Sequence, residues 1–337
     1  MRRSGKTCIL KMIIDELKNI GVKEENIIYI SFESSVYDNI YTYKELNKYI
    51  FNLTKNLDGK IYLLFDEIQS VVKWEKSITS FRVDLNSDIY ITGSNSKLLS
   101  GELATLLSGR YKTIQIYPFS YNEILDYYSE FGELSPQRKQ ELFWEYVNYG
   151  GFPGLLKYDS FEKKESLKDI YHSIILKDIL NRSKIKNNKL LMKLMEYMIT
   201  NTGQIFSSTN VINYIYRNRQ LLGEEEQKKP SSNTIINYVH HAQDAFVLYE
   251  TKNEDLVGKE IFKELEKYYV VDPGFYYLFR DETRRSMGSL LESIVYIELL
   301  RRNYDVTVGR IYDIEVDFVC KKSNKICYIQ VSESILG

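Results

Sequence analysis

The sequence predicts an α/β protein: a parallel sheet in its first third, a helical middle, and a mixed α/β end. Three observations carry that prediction. Apolar, β-rich runs at residues 27–32, 61–65 and 89–92 are separated by stretches of helical character, the pattern of βα units in a parallel sheet. From residue 120 to 244 the chain is helical, broken by Gly150-Gly151-Phe152-Pro153-Gly154. From residue 287 one helical run precedes three strand-like runs.

Each element has its own local reason. Ile9, Leu10, Ile13, Ile14 and Leu17 recur at helical spacing and Gly21 stops them, which predicts a helix over 7–20. Residues 27–32 read as a buried strand, residues 43–55 as a helix, and Asp58-Gly59 as a turn. The continuous apolar run 61–65 ends in Asp66-Glu67, and the next strand, 89–92, ends at Gly93-Ser94-Asn95. A fourth strand is expected over 112–117, after Gly109-Arg110. Ser120 and Glu123 fit a capping box, and Ser135-Pro136 an N-cap followed by Pro at the first helical position. The glycine-rich break at 150–154 is a candidate hinge, with helix again over 160–202. Helices at 208–217 and 231–244, a polar loop at 218–230 between them, and short strands at 246–251 and 268–271 suggest a winged helix. A helix at 287–302 and strands at 305–308, 314–320 and 326–331 complete the chain.

Composition bounds the possibilities. At 337 residues the chain has room for two or three domains, and 44% hydrophobic with 27% charged residues is ordinary for a globular protein. The 29 Tyr are unusual; in a chain also rich in Ile, Lys and Asn they fit codon bias as well as chemistry. A net charge of −1 argues against a nucleic-acid coat over the whole surface, though not against a local basic patch. Cys8, Cys320 and Cys327 form no C-x-x-C, which suits reduced thiols in the cytoplasm. His172, His240 and His241 are too scattered for a His-based zinc site. No apolar run approaches the ~20 residues that span a bilayer, so no membrane is expected as a partner.

The chemistry concentrates in the first domain. Residues 1–7, Met-Arg-Arg-Ser-Gly-Lys-Thr, read as the latter part of a G-x-x-x-x-G-K-[ST] phosphate loop. In such a loop backbone N–H groups curl around the β-phosphate, Lys6 reaches the β/γ-oxygens, Thr7 ligates Mg²⁺, and the following helix adds its dipole. Arg3, Ser4, Gly5, Lys6, Thr7 and Cys8 are thus the candidate ATP-binding residues. Asp66 would hold Mg²⁺ through water, and Glu67 would polarise the attacking water; the alternative is a solvated strand end. Ser94 or Asn95 would orient that water or contact the γ-phosphate at the carboxyl edge of the sheet, or else cap the next helix. Arg110 would reach a neighbouring copy's γ-phosphate as a finger, or else sit in a surface ion pair.

Together, Ser-Gly-Lys-Thr, Leu-Phe-Asp-Glu-Ile-Gln, Ile-Thr-Gly-Ser-Asn-Ser-Lys-Leu-Leu, Leu-Ser-Gly-Arg-Tyr and Tyr-Gly-Gly-Phe-Pro resemble the bacterial and archaeal ATPases of the AAA+ class that precede a winged helix and a restriction-nuclease-like domain. The resemblance spans nearly the whole chain. It implies a P-loop ATPase parallel sheet, binding of ATP and Mg²⁺, and the roles given above for Lys6, Thr7, Asp66 and Glu67. It divides the chain into an ATPase core at 1–118, a helical region at 119–204, a winged helix at 205–275 and an incomplete nuclease-like segment at 276–337. The family's loop has a Gly just before the position of Met1, and a central strand leading into the loop; neither lies in this sequence. The chain therefore reads as truncated at both ends, with a gap expected in its first sheet.

The resemblance also bears on the last segment. Glu292 on a helix, Asp317 on a strand, and Gln330 and Ser332 in a third motif fall where that nuclease fold places its Mg²⁺ ligands and its Lys. Gln330 replaces a carboxylate and binds a hard cation more weakly, and Ser332 carries no positive charge, so a nuclease-like fold without cleavage is expected. The 231–241 stretch lacks Lys and Arg, which base reading and phosphate contacts both want. Its expected role is packing, with DNA at most weakly held. The function expected is an ATP-driven conformational switch acting on a partner, alternatively a non-hydrolysing scaffold or DNA-associated binding protein with a vestigial nucleotide site, any of them open to homo-oligomerisation.

Overall fold

The structure, a computed structural model, describes residues 1–94, 96, 110–180, 185, 187–221, 229–258, 261–279, 287–312 and 314–333. The chain divides into two units, Met1–Ile116 and Tyr117–Gly337.

In the first unit the order is α1 (Lys6–Asn19), β1 (Ile27–Ser31), α2 (Tyr43–Thr54), β2 (Ile61–Asp66), α3 (Trp74–Asp84) and β3 (Ser87–Ile91). The strands form a parallel sheet in the order β1-β2-β3. β2 lies in the middle, and its sequence shows why: Leu63, Leu64 and Phe65 have no exposed surface, as a strand covered on both faces requires. Leu63 and Phe65 pack with Leu46 and Ile50 of α2 and Phe81 of α3, each such burial contributing ~1.5–3 kcal/mol. α2 starts on a capping box in which Glu45 Oε2 accepts the Thr42 N–H at 2.7 Å.

The expected strands at 27–32, 61–65 and 89–92 are present as β1, β2 and β3. They pair without interruption, so the expected gap does not fall between them. α3 was not expected. The strand expected at 112–117 is not formed: these residues have no ladder, and Lys112, Thr113 and Ile114 are exposed. β-rich composition makes a strand only beside a partner edge, and among the described residues none pairs with this segment.

The second unit begins with α4 (Tyr121–Ser129), α5 (Pro136–Tyr149) and α6 (Ser160–Ser173), which passes into a π-helical stretch, Ile174–Leu180. The cap signals hold. Ser120 Oγ accepts the Glu123 N–H at 3.2 Å while Glu123 Oε2 accepts the Ser120 N–H at 2.7 Å, and Ser135 Oγ accepts from Arg138 N at 3.1 Å. The chain continues through α7 (Asn188–Thr200), α8 (Ser208–Leu221), α9 (Ser232–Asp244), β4 (Leu248–Asp255), β5 (Ile261–Val270), α10 (Pro273–Phe279), α11 (Met287–Arg301), β6 (Asp305–Ile311), β7 (Ile314–Lys322) and β8 (Lys325–Ile329).

One five-stranded sheet, in the order β5-β4-β6-β7-β8, joins the hairpin-like pair β4–β5 to the last three strands. The junction is the parallel pair β4–β6, where Asn253, Glu254 and Asp255 align with Val308, Gly309 and Arg310. Thr251 Oγ1 donates to Val306 O at 3.0 Å and Lys321 Nζ to Glu254 Oε1 at 2.6 Å, closing it with side chains. A ring cluster of Tyr269, Tyr296 and Phe318 ties α11 to this sheet, the two tyrosine rings lying 4.5 Å apart.

The candidate hinge at 150–154 is instead a packed clasp. Gly150, Gly151 and Phe152 are buried. The Asp272 carboxylate accepts the N–H of Gly151 at 2.8 Å and of Gly274 at 2.9 Å, and Gly151 O accepts from Phe119 N at 2.6 Å. A Cβ on Gly151 would strike the Phe119 carbonyl, and one on Gly150 the Asp272 carboxylate. These glycines allow close approach of backbone, and the chain around them is held rather than free to swing.

Candidate active site

Parallel strands end on one edge, and the register of this sheet sets Ser31 beside Asp66 and Phe65 beside Ile91, with Thr92 one residue on. The loop before α1 meets that edge. Gly5 caps α1 at φ +96°, a left-handed conformation that a side chain resists. The first turn of α1 has no side-chain cap hydrogen bond, so its amides remain available to an anion. Ser4 Oγ and Lys6 Nζ both donate to Met1 O, at 3.0 and 2.5 Å.

Asp66 is the meeting point. It is 1% exposed, and its carboxylate accepts from Thr7 Oγ1 at 2.7 Å, Thr92 Oγ1 at 2.5 Å and Tyr29 OH at 3.4 Å. Two residues separated by 59 positions, Thr7 and Asp66, are thereby brought into direct contact.

Glu67 follows at φ +56°, a left-handed conformation in a non-glycine residue. Its N–H donates to Thr92 Oγ1 at 3.1 Å, and Lys6 Nζ lies 3.6 Å from its Oε1. Gln69 Nε2 donates to its other oxygen. Burial works to raise the Glu67 carboxyl, but the Lys6 charge, the Gln69 hydrogen bond, the Arg2 charge and a hydrogen bond with Ser94 together hold it below the usual carboxylate range. Tyr29 is pushed up by burial and then by the Asp66 charge.

The structure thus gathers Ser4, Gly5, Lys6, Thr7, Asp66, Glu67 and Ser94, the last with no exposed surface. Arg3 and Cys8 are exposed. Arg110 is exposed and makes no hydrogen bond or ion pair among the described residues. Asn95 lies outside the described residues. Sequence reasoning named Thr92 within the polar stretch Thr92-Gly93-Ser94-Asn95, and Gln69 within Leu-Phe-Asp-Glu-Ile-Gln, without giving either a role, and it passed over Tyr29. The signal for Thr92 was its place at the end of the strand beside Asp66; Tyr29 gave none.

In the second unit, Glu292 on α11 and Asp317 on β7 come within electrostatic reach of each other. Burial raises the Glu292 carboxyl; Lys267 works against that rise, Asp317 adds to it, and Tyr269 OH donates to Glu292 Oε2 at 3.2 Å. Gln330 Oε1 accepts from Asp317 N at 3.4 Å, and Asp317 Oδ2 from Val331 N at 2.6 Å. Ser332 is exposed. Lys267 of β5, not singled out from sequence, is buried and paired with Glu315. Among the described residues no group of three or more His, Cys, Asp and Glu side chains could hold a metal ion. No helix among them is long and apolar enough to cross a membrane.

Residues 1–125 match the family of an AAA domain, and residues 140–285 match a domain of unknown function. An uncharacterized protein of Haemophilus influenzae is 37% identical over 335 residues, covering 99% of this chain and 81% of its own length. An uncharacterized protein of Methanocaldococcus jannaschii is 32% identical over 342 residues, covering 97% of this chain and 73% of its own. Among solved structures, the Aeropyrum pernix ORC1 protein in complex with DNA shares 12% identity across 89% of this chain and 86% of that one. Its TM-score of 0.34 is too low to carry any property across.

Proposed function

This chain belongs to the family of those two Haemophilus and Methanocaldococcus relatives, with an AAA domain at its start, and on that premise we propose that the first unit binds ATP and hydrolyses it with Mg²⁺ to drive a conformational switch. The observation that carries the reading is the 2.7 Å hydrogen bond from Thr7 to Asp66, with Lys6 beside Glu67. It supports the reading of residues 1–7 as a phosphate loop, since such a loop meets two carboxylates at the carboxyl edge of a parallel sheet.

The residues present fit the group. Uncapped amides at the start of α1 and the Lys6 ammonium complement the triphosphate, while Thr7 and Asp66 offer the hard oxygen ligands that Mg²⁺ takes. When bound, ATP·Mg²⁺ supplies the phosphoryl group to be transferred. Glu67, held ionised, can accept a proton from an attacking water. Ser94 and Thr92 fix its position from β3's end. In this site Lys6 is shared between Met1 O and Glu67, and engaging a phosphate would draw it from one or both.

We read residues 205–275 as a winged helix, supported by α8 and α9, the antiparallel pair β4–β5 and the bridge from Ile205 to Lys267. We read the last segment as a nuclease-like fold without cleavage, supported by Gln330 and Ser332 at the third motif. The partner moved by the switch is then more fittingly a protein than a DNA sequence, since the α9 residues Ile235, Tyr238, Val239 and Ala242 are spent on the core.

Fluorescent-ATP binding and phosphate-release assays test the reading. Glu67→Gln should keep nucleotide binding and cut turnover ~10²–10⁴-fold. Lys6→Ala should lose binding. Binding by Lys6→Ala equal to that of the parent chain would overturn the proposal.

A further inference from the structure

Away from the sheet edge of the first unit, two of the three cysteines face each other. Cys320 of β7 and Cys327 of β8 are direct partners in the antiparallel register. Directly opposed residues project from the same face of a sheet, with Cα atoms ~4.5–5.5 Å apart. That falls within the ~4.4–6.8 Å a disulfide spans. Cys320 has no exposed surface and Cys327 is exposed; among the described residues β8 stands at the edge of the sheet. Both line one cavity of about 350 Å³ with Ile294, Val295 and Leu299 of α11 and Ile329 of β8. Burial pushes the Cys320 thiol up to about 11, and Cys327 adds to the rise, so the two sulfurs sense each other.

We propose that Cys320 and Cys327 form a reactive dithiol whose substrate class is the small disulfides, and that it closes into a cross-strand disulfide. Cys327, the accessible member, attacks as its thiolate one sulfur of a disulfide RSSR. The S–S bond of RSSR breaks, RS⁻ leaves, and a mixed disulfide forms on Cys327. Cys320 then gives up its proton and attacks Sγ of Cys327, expelling the second RS⁻. The two protons lost by the thiols end on the two RS⁻, giving two RSH; the protein is oxidised by two electrons and RSSR is reduced. Closure pins the edge strand β8 to β7 close to where Val331 N–H meets Asp317.

The test uses the full chain, glutathione disulfide, and phenylarsine oxide, which binds tightly only where two thiols can bridge it. Peptide masses after alkylation read Cys8 separately from the pair. The expected result is a linked pair of peptides, two hydrogens lighter, carrying Cys320 and Cys327, with linkage blocked by prior phenylarsine oxide. Cys327→Ser should abolish both linkage and arsenical capture. Cys320→Ala should retain a mixed disulfide on Cys327 that the parent chain resolves; arsenical capture by the unmutated chain tests the pair even if that variant fails to fold. Separate alkylation of both thiols in the parent chain, a persistent mixed disulfide there, or undiminished arsenical capture by Cys327→Ser would overturn the proposal.

Discussion

The hydroxyl of Thr92 donates to Asp66 and accepts the N–H of Glu67, so a single small side chain positions two acidic residues at once. It also sits where the backbone of Glu67 adopts its left-handed conformation, which Thr92 O helps to hold by accepting from Ile68 N at 3.2 Å. Replacing it by Val keeps the shape and leaves a buried acceptor and donor unsatisfied, at ~1–3 kcal/mol. Thr92→Val is expected to lower kcat for ATP ~10–100-fold with little change in KM, and Thr92→Ser to restore most of it; steady-state phosphate release checks both. Asp272 offers a second expectation. Burial pushes its carboxyl up to about 7, against the hydrogen bonds from Gly151 and Gly274 and the charge of Arg301. The folded state therefore binds this proton more tightly than the unfolded chain does, and the stability Asp272 contributes is greatest below its unfolded pKa and falls as pH rises toward 7. Melting the parent chain and Asp272→Asn from pH 4.5 to 8 should show a downward slope in the parent, of a few kcal/mol at most, that the variant lacks. Lys6, Thr7, Asp66 and Glu67 could be singled out in sequence because they stand in short, fixed spacings, and the structure brings them together. Thr92 could be named only as part of a polar strand end, and Tyr29 not at all, because a hydroxyl on a strand acquires meaning only from the residue that the register sets beside it.

At the scale of elements, continuous apolar runs announced β1, β2 and β3, and cap residues announced α4 and α5, since those signals are local. The 112–117 segment has the same β-rich look and forms no strand, because pairing depends on a neighbouring edge that its own residues cannot supply. α3 escaped notice although Trp74, Ile78 and Phe81 are buried along one side; its Ser, Thr and Val residues are middling helix formers, and packing on α2 decides the matter. The clasp around Gly151 was misread for a related reason. Glycines mark a special backbone, but not whether it is special for motion or for closeness. Gly151→Ala drives a methyl against the Phe119 carbonyl, and is expected to destabilise the second unit by ~3 kcal/mol or more. Gly154, where an added Cβ meets nothing, supplies the control: Gly154→Ala should melt within about a degree of the parent, a change below ~0.5 kcal/mol.

For the molecule as a whole, the proposed hydrolysis raises the question whether turnover belongs to one chain or to several, and Arg110, proposed as a finger, is where it can be tested. Exposed and unpaired among the described residues, it is free to serve a neighbouring copy's site. Arg110→Ala is expected to lower kcat ~10³-fold or more, and mixing it with Glu67→Gln should regain activity that neither variant has alone, provided sites are built between copies. No recovery in the mixture, measured across a concentration series, would make Arg110 a residue of its own chain's surface. The sheet of the second unit has a mechanical consequence. Since β4 pairs with β6 through Asn253, Glu254 and Asp255, cutting the chain between β5 and β6 would strip β4 of its partner β6 and leave two raw edges, so the helical part and the final strands are held as one load-sharing piece.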